Sequence, residues 1–345
     1  MRQHTLDSIQ SRPIDTKSCR PGGMTSRGAE SARVAQGARW PHVGVAEKGM
    51  ILVPGVQKIV LSSGGEVAVR TAGDASKPAL VLLHGFPSSS RTFRDVIAPL
   101  SGSAYVVAPD LPGFGASDLP PEPSFDMLAG AIEELLSRLN VGRRFLYLHD
   151  FGTPVALHLA MRAPELVEGL VIQNANAHRS GFGPQWADTL DFWAAPNAAN
   201  EQAATAHLTL EGTRDQYVAG LPGEIAAQID PGGWIEDWRV MCLPGRLDLQ
   251  KALIADYGRY VDRFGEVADY LAKHQPRAML LWGRHDAFFD IAEVQSWLVD
   301  LPRMEAHVFD AGHFLLETHA LKAAELMLEF VAGGSAKRAG RGDQK

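Results

Sequence analysis

Two aspartates and one histidine stand at positions where they could carry nucleophilic catalysis. Asp150 lies in "YLHDFG", Asp286 in "WGRHDAFF" and His313 in "DAGHFLLE". Each follows a short apolar run of the kind that forms a buried strand. A carboxylate can act as a nucleophile, and a histidine held by a second carboxylate can remove a proton from water. These residue types predict a hydrolytic centre if the fold brings them to one place.

The apolar runs that precede these residues recur along the chain and alternate with helical patterns. Strands are predicted at 78–85, 103–110, 143–150, 165–176, 277–283 and 304–310, after a hairpin with a Gly-Gly turn at 56–73. "FDMLAGAIEELLSRLN" has the apolar spacing of an amphipathic helix. Near-continuous apolar strands that alternate with helices indicate an α/β fold with a mostly parallel, doubly wound sheet. Ligands bind at the carboxyl ends of such strands, where the candidate residues stand.

Residues 179–273 break this alternation, because they contain amphipathic helical stretches and no buried-strand run. We interpret them as a helical cap inserted between two parts of the core, residues 50–178 and 274–335. Residues 1–48 have neither helical nor strand periodicity and are predicted to be a disordered leader, and residues 336–345 a disordered tail.

Composition argues against two classes of partner, nucleic acids and membranes. The net charge is −7, and no run approaches the ~18 apolar residues of a membrane span, so we expect neither nucleic acid nor a membrane as partner. Cys19 and Cys242 form no disulfide framework and no metal-ligand spacing. We therefore expect a cytoplasmic protein with a small-molecule substrate, and a homodimer is an open option. For the first 45 residues, an organelle transit peptide or a later start at Met24 or Met50 also stays open.

The order and context of the three residues resemble the α/β-hydrolase fold family. Asp150 stands where serine hydrolases of this fold have their serine, which is similar to the epoxide hydrolase and haloalkane dehalogenase branch, over residues 52–333. The resemblance implies that Asp150 forms an alkyl ester with the substrate. It implies that His313 activates the water that cleaves the ester, and that Asp286 orients His313.

The same resemblance assigns the oxyanion hole to the backbone N–H groups of Phe86 and Phe151. It implies no cofactor and no metal, because the nucleophile, the base and water suffice. In some relatives the acid follows an earlier strand, but "QNANAH" offers Asn174 and Asn176 there and no carboxylate. One departure from the family pattern is Leu148, at a position where the turn usually has a small residue.

The leaving group separates the two activities of this branch. An alkoxide from an opening epoxide needs an acidic O–H, whereas a halide needs N–H donors. Dehalogenases resemble one another in a tryptophan directly after the nucleophile, and position 151 is phenylalanine. "HGFP" (84–87) resembles an epoxide hydrolase signature, and Tyr257 and Tyr217 of the cap are the candidate proton donors, with Tyr260 able to replace Tyr257.

The sequence therefore predicts a hydrolase that opens a small or medium apolar epoxide to a diol. A haloalkane dehalogenase remains the alternative, with a cap tryptophan as halide donor; the cap tryptophans are Trp186, Trp193, Trp234 and Trp238. A ligand-binding protein without turnover is a third reading. Hydrolysis of ordinary esters is disfavoured, because no serine stands at the turn.

Overall fold

An eight-stranded sheet runs through the part of the chain that the structure, a computed structural model, describes: residues 55–342. Its strands are β1 (Gln57–Val60), β2 (Glu66–Ala72), β3 (Ala79–Leu83), β4 (Tyr105–Pro109), β5 (Arg144–His149), β6 (Val167–Gln173), β7 (Ala278–Gly283) and β8 (Glu305–Phe309). They are ordered β1-β2-β4-β3-β5-β6-β7-β8. The two pairings of β2 are antiparallel and the others parallel. The predicted sheet, including its amino-terminal hairpin, is confirmed.

The central strands have two buried faces, which explains their continuous apolar sequences. Every residue of β3, β5 and β7 is buried. Because successive side chains of a strand point to opposite faces, Leu80 and Leu82 join one apolar cluster, and Val81 and Leu83 join the other. Helices must therefore cover both faces, as the sequence predicted.

The twelve α-helices among the described residues divide into sheet-covering helices and a cap. They are α1 (Arg94–Ser101), α2 (Phe125–Arg138), α3 (Gly152–Arg162), α4 (Ala187–Ala194), α5 (Ala198–Ala204), α6 (Leu210–Val218), α7 (Gly223–Ala226), α8 (Gly232–Met241), α9 (Arg246–Asp262), α10 (Phe264–His274), α11 (Ala292–Asp300) and α12 (Leu316–Gly342). Helices α1 and α12 bury their apolar residues against one face of the sheet, and α2, α3, α10 and α11 against the other.

The insertion between β6 and β7 contains α4 to α10, in agreement with the helical character predicted for 179–273. Its last helix, α10, packs against α3 and α11, so it belongs to the layer that covers the sheet. An amphipathic pattern shows that one face of a helix is buried but not what covers it. The predicted boundary at 273/274 therefore groups α10 with the cap although it packs with the core.

The predicted leader, 1–48, lies outside the described residues. The predicted disordered tail, 336–345, is helical up to Gly342 in this structure, because α12 continues that far. Within residues 55–342, no helix is both long enough and apolar enough to cross a membrane.

Candidate active site

Asp150 occupies a sharp turn between β5 and α3. Its φ angle is +48°, a left-handed conformation that non-glycine residues rarely adopt. Two neighbouring positions have room only for glycine. A Cβ on Gly152 would lie 2.5 Å from the carbonyl oxygen of Leu83, and one on Gly85 would lie 2.4 Å from the Cβ of Asp150. Leu148, the departure from the family pattern, is fully buried in β5 and does not prevent the turn. The strained turn holds the Asp150 carboxylate at the carboxyl edge of the sheet.

Two backbone N–H groups face this carboxylate. The N–H of Phe86 donates to Asp150 Oδ1 at 2.6 Å, and the N–H of Phe151 also donates to the carboxylate. Burial raises the pKa of Asp150 above its ordinary value, while the charge of His313 and the two N–H groups oppose the rise. The structure thus brings the two predicted oxyanion donors to the predicted nucleophile.

His313 lies across from Asp150, in the loop between β8 and α12. Its Nδ1 is 2.8 Å from Asp286 Oδ2, and its Nε2 is 3.8 Å from Asp150 Oδ2. Burial lowers the pKa of His313, but the Asp286 and Asp150 carboxylates outweigh this effect and hold the pKa above its ordinary value. The long Nε2–Oδ2 distance leaves that carboxylate oxygen without a strong hydrogen bond, as an attacking atom requires.

Asp286 is fixed from several sides in the turn after β7. Its Oδ1 accepts the N–H groups of Phe288 and Phe289 at 2.8 and 3.1 Å. Asn174 Nδ2 donates to its Oδ2 at 2.7 Å, and Asn174 Oδ1 accepts the N–H of Gly283 at 3.0 Å. In the sequence, Asn174 stands at a strand end where some relatives carry the catalytic acid, and no other role was predicted for it. In the structure it orients the acid supplied by Asp286.

Two further histidines support the strand ends without facing the cavity described below. His84 Nε2 accepts the N–H of Leu111 at 2.9 Å, which ties the turn after β3 to the turn after β4. The ring of His149 lies 4.7 Å from the ring of His313, and burial lowers the pKa of His149 well below its ordinary value. A neutral His149 adds no positive charge beside His313.

A cavity of about 240 Å³ lies between Asp150 and the cap. Tyr257, from α9, is almost fully buried in its wall, and its hydroxyl has no hydrogen-bond partner among the described residues. Burial, with a smaller contribution from the negative charge of Asp150, raises the pKa of Tyr257 well above its ordinary value. The hydroxyl therefore stays protonated at neutral pH and is available as a proton donor.

The other candidate tyrosines are engaged elsewhere. The Tyr217 hydroxyl donates to Asp237 and accepts from Arg91 Nη2 at 2.7 Å, and its ring stacks on Phe314 with centroids 4.2 Å apart. Tyr217 does not line the cavity, so the structure does not bring this predicted donor to the site. Tyr260 donates to the carbonyl oxygen of Asn176 at 2.6 Å and is not free to replace Tyr257.

The cap tryptophans direct no indole N–H into the cavity. Trp186 lines it, but its Nε1 donates to the carbonyl oxygen of Phe288 at 2.7 Å. Trp193 Nε1 donates to the carbonyl oxygen of Ile254 at 2.9 Å. Trp234 and Trp238 are not among the residues that line it.

Sequence reasoning missed five polar residues of the cavity wall: Gln185, Asp188, Thr189, His207 and Gln216. His207 lies in the segment between α5 and α6, Gln216 in α6 and Thr189 in α4. The ring of His207 stands edge-on to Phe86, and burial lowers the pKa of His207. No motif marked these residues, because only the packing of the cap helices decides which of their faces meet the cavity.

Comparisons with known proteins agree with this fold. The family model described as alpha/beta hydrolase fold matches residues 78–320. An uncharacterised hydrolase of Saccharomyces cerevisiae is 32% identical over 80% of this chain and 96% of its own length, and a haloalkane dehalogenase of Bradyrhizobium diazoefficiens is 26% identical over 80% and 94%. Among solved structures, the epoxide hydrolase CorEH superposes with a TM-score of 0.67 at 24% identity, covering 81% of this chain and 99% of that one.

Proposed function

The chain belongs to the α/β-hydrolase fold family and is a hydrolase of that fold, and we propose that it opens small or medium apolar epoxides to diols through an ester on Asp150. The observation that carries the proposal is the Tyr257 hydroxyl, which is protonated, has no partner among the described residues and lines the same cavity as Asp150. A dehalogenase would use N–H donors for the halide, and the indole N–H groups of Trp186 and Trp193 are not available for this because they already donate to backbone oxygens.

In the first step Asp150 Oδ2 attacks one carbon of the epoxide. A C–O bond to the carboxylate forms as the ring C–O bond breaks, and the departing oxygen takes the proton of the Tyr257 hydroxyl. The product is a neutral hydroxyalkyl ester and a tyrosinate. Oδ1 stays on the N–H of Phe86, which leaves Oδ2 as the oxygen that faces the cavity and His313.

In the second step His313 Nε2 removes a proton from water, and the resulting hydroxide adds to the carboxyl carbon of Asp150. The negative charge that develops on Oδ1 is stabilised by the N–H groups of Phe86 and Phe151. Collapse of this intermediate breaks the ester bond, leaves Asp150 as a carboxylic acid and releases the alkoxide of the diol, which is protonated by the imidazolium. Asp150 then loses its proton and the Tyr257 tyrosinate gains one by exchange with solvent, which restores the starting state. Asp286 and Asn174 hold the His313 ring during the transfer.

The intact mass of a His313→Ala variant, after incubation with matched epoxides and chloroalkanes, tests this proposal. Without the base, the ester should accumulate, and the added mass should equal that of the whole epoxide. The His313→Ala, Asp150→Asn double variant is the control and should carry no adduct. An adduct formed only from chloroalkanes, with the mass of the alkyl group, would make the protein a dehalogenase, in line with its similarity to the Bradyrhizobium enzyme. No adduct from either series would contradict an Asp150 ester.

A cytoplasmic location and a homodimeric state remain proposals that rest on the sequence.

A further inference from the structure

The part of the cavity wall that the cap supplies contains a buried side-chain amide without a hydrogen-bond partner among the described residues. The Gln216 side chain is only 6% exposed and makes no hydrogen bond with any other described residue. Thr189, 8% exposed, lines the same cavity, and its hydroxyl also has no hydrogen bond within residues 55–342. Most buried polar side chains have a hydrogen-bond partner, so two unpartnered ones on a cavity wall indicate a group supplied by the ligand.

The charges around the cavity restrict what that group can be. Its fifteen lining residues include the carboxylates of Asp150 and Asp188 and neither lysine nor arginine. His207, the only histidine among them, is kept neutral because burial lowers its pKa. Asp188 forms no ion pair with another described residue, so its negative charge is not compensated locally. A carboxylate or phosphate on the ligand would therefore meet repulsion from Asp188 and find no lysine or arginine in the cavity wall.

Apart from Gln185, which is exposed to solvent, the remainder of the lining is apolar or aromatic and includes Phe86, Phe151, Phe288 and Ile254. It suits the hydrocarbon body of a ligand. The volume of about 240 Å³ is below the ~300–1,000 Å³ typical of drug-sized sites, which limits the ligand to a small molecule.

We propose that Gln216 and Thr189 form a specificity subsite for a second, neutral hydrogen-bonding group of the substrate, such as a hydroxyl or a carbonyl, and that the cavity rejects anionic epoxides. The inference rests on the proposed function, since it defines which epoxides the Asp150 site accepts. It goes beyond that function because it assigns a substrate class to residues that take no part in the chemical steps.

Three matched substrates test the subsite: the terminal epoxides of heptene, hexenol and hexenoic acid. The hexenol epoxide replaces the end methyl of the heptene epoxide with a hydroxyl at nearly constant size. We expect kcat/KM to be about 3- to 10-fold higher for the hexenol epoxide, the effect of one net hydrogen bond. For the hexenoic acid epoxide at neutral pH we expect kcat/KM to be at least about 100-fold lower than for the hexenol epoxide, because an unpaired charge would be desolvated.

Substitutions test which residues cause these differences in kcat/KM between the epoxides. Gln216→Leu should remove the preference for the hexenol over the heptene epoxide, and Thr189→Val should reduce it, which provides a second variant if the first folds poorly. Asp188→Asn should raise the acid-to-heptene ratio about 2- to 5-fold, a modest change because Asp188 is exposed to solvent. Gln202→Leu, on the exposed surface of α5, is the matched control and should change none of the ratios.

The heptene epoxide separates the two proposals. If it is hydrolysed but the hexenol preference is absent, or persists in Gln216→Leu, the subsite is wrong and the proposed function stands. Turnover of the acid epoxide equal to that of the hexenol epoxide would overturn the exclusion of anions. If none of the three epoxides gives an adduct in His313→Ala, the proposed function fails and the subsite fails with it.

Discussion

The half of the site that the core supplies and the half that the cap supplies differ in how their polar atoms are held. In the core, Asp150 Oδ1 accepts from Phe86 at 2.6 Å, and His313 and Asp286 are joined at 2.8 Å. In the cap, Tyr257 and Gln216 present polar groups that have no partner within the described residues. Preorganised groups suit the nucleophile and the base, whose geometry must be set before the substrate binds, and unpartnered groups suit atoms whose hydrogen bonds the substrate completes.

The cap itself is nevertheless firmly anchored. Arg91, which follows the oxyanion turn of the core, donates to the Tyr217 hydroxyl at 2.7 Å and to the carbonyl oxygen of Gly233 at 3.0 Å, and it pairs with Asp237 at 3.3 Å. The difference between the halves therefore lies in the groups that face the cavity. It does not imply a loose cap.

Removal of the acid from the core half should have the largest effect. We expect Asp286→Asn to lower kcat about 10³- to 10⁴-fold, because an amide would favour the wrong tautomer of His313 and would not stabilise its charged form. The loss should fall on ester hydrolysis, since Asp150 attacks without help from the base. Single-turnover measurements with an epoxide separate the two steps.

Asp310→Asn is the matched control, because Asp310 is an exposed carboxylate paired with Arg284 and His285. It should leave both steps within about 2-fold. Equal losses in ester formation and ester hydrolysis for Asp286→Asn would contradict the assigned role.

The corresponding change in the cap half is Tyr257→Phe. Loss of a general acid costs about 10² to 10⁴ in rate, so ester formation from epoxides should fall by at least about 10²-fold. Hydrolysis of an ester already formed should change little. Rapid-quench measurement of the two steps tests this, with Tyr260→Phe as control, because Tyr260 donates to the carbonyl oxygen of Asn176. Unchanged ester formation in Tyr257→Phe would shift the donor role to another group, with His207 the next to test.

The catalytic residues that the core supplies could be predicted from the sequence, because short local patterns mark the ends of strands. "HDFG", "GRHD" and "DAGH" each follow an apolar run, and parallel strands bring their carboxyl ends to one edge. Asp150, Asp286 and His313 meet there as predicted. Asn174 also follows a strand, but its role depends on a side-chain contact with Asp286 that no spacing encodes.

The cap residues of the site could be predicted only in part, because the packing of the helices decides which residues face the cavity. Tyr217 and Gln216 are neighbours on α6, and successive residues of a helix point about 100° apart. Gln216 therefore lines the cavity, whereas Tyr217 stacks on Phe314. The sequence indicated Tyr217 and not its neighbour Gln216, because a tyrosine suggests a proton donor and a glutamine carries no comparable signal.

Ester formation should also change the pKa of His313. The resulting effect on the rate of ester hydrolysis should be smaller than that of the Tyr257→Phe change on ester formation. The Asp286 and Asp150 carboxylates both raise this pKa in the free enzyme. The ester removes the Asp150 charge, so the pKa of His313 should fall. Because only neutral His313 can accept a proton from water, ester hydrolysis should slow as the pH falls through this lower value. The lower pKa keeps a larger fraction of His313 neutral at acidic pH than the free-enzyme pKa would allow, so ester hydrolysis is faster there.

Single-turnover rates of ester hydrolysis across pH give the pKa of His313 in the ester, and NMR titration of its ring gives the value in the free enzyme. His319, which is not part of the cavity wall, serves as an internal reference in the same spectra, because ester formation should not move its signal. A midpoint in the ester equal to or above that of the free enzyme would mean that the Asp150 charge does not act on His313.

Tyr217→Phe should have the smallest effect on catalysis and a clear effect on stability. The sequence left Tyr217 and Tyr257 as alternative donors, and only their contacts distinguish them. Without its hydroxyl, buried Asp237 loses a donor and Arg91 an acceptor, so the free energy of unfolding should fall by about 1–3 kcal/mol. The ring remains and keeps its stack on Phe314, so ester formation and hydrolysis should stay within about 3-fold.

Urea denaturation and the same single-turnover assay measure the two effects in one preparation. A loss of ester formation near 10²-fold at unchanged stability would exchange the roles of the two tyrosines. It would also mean that the cap takes up a different arrangement during turnover, because Tyr217 lies outside the cavity wall here. Loss of stability without loss of rate would instead assign Tyr217 to holding the cap on the core and leave proton donation to Tyr257, whose hydroxyl has no competing partner among the described residues.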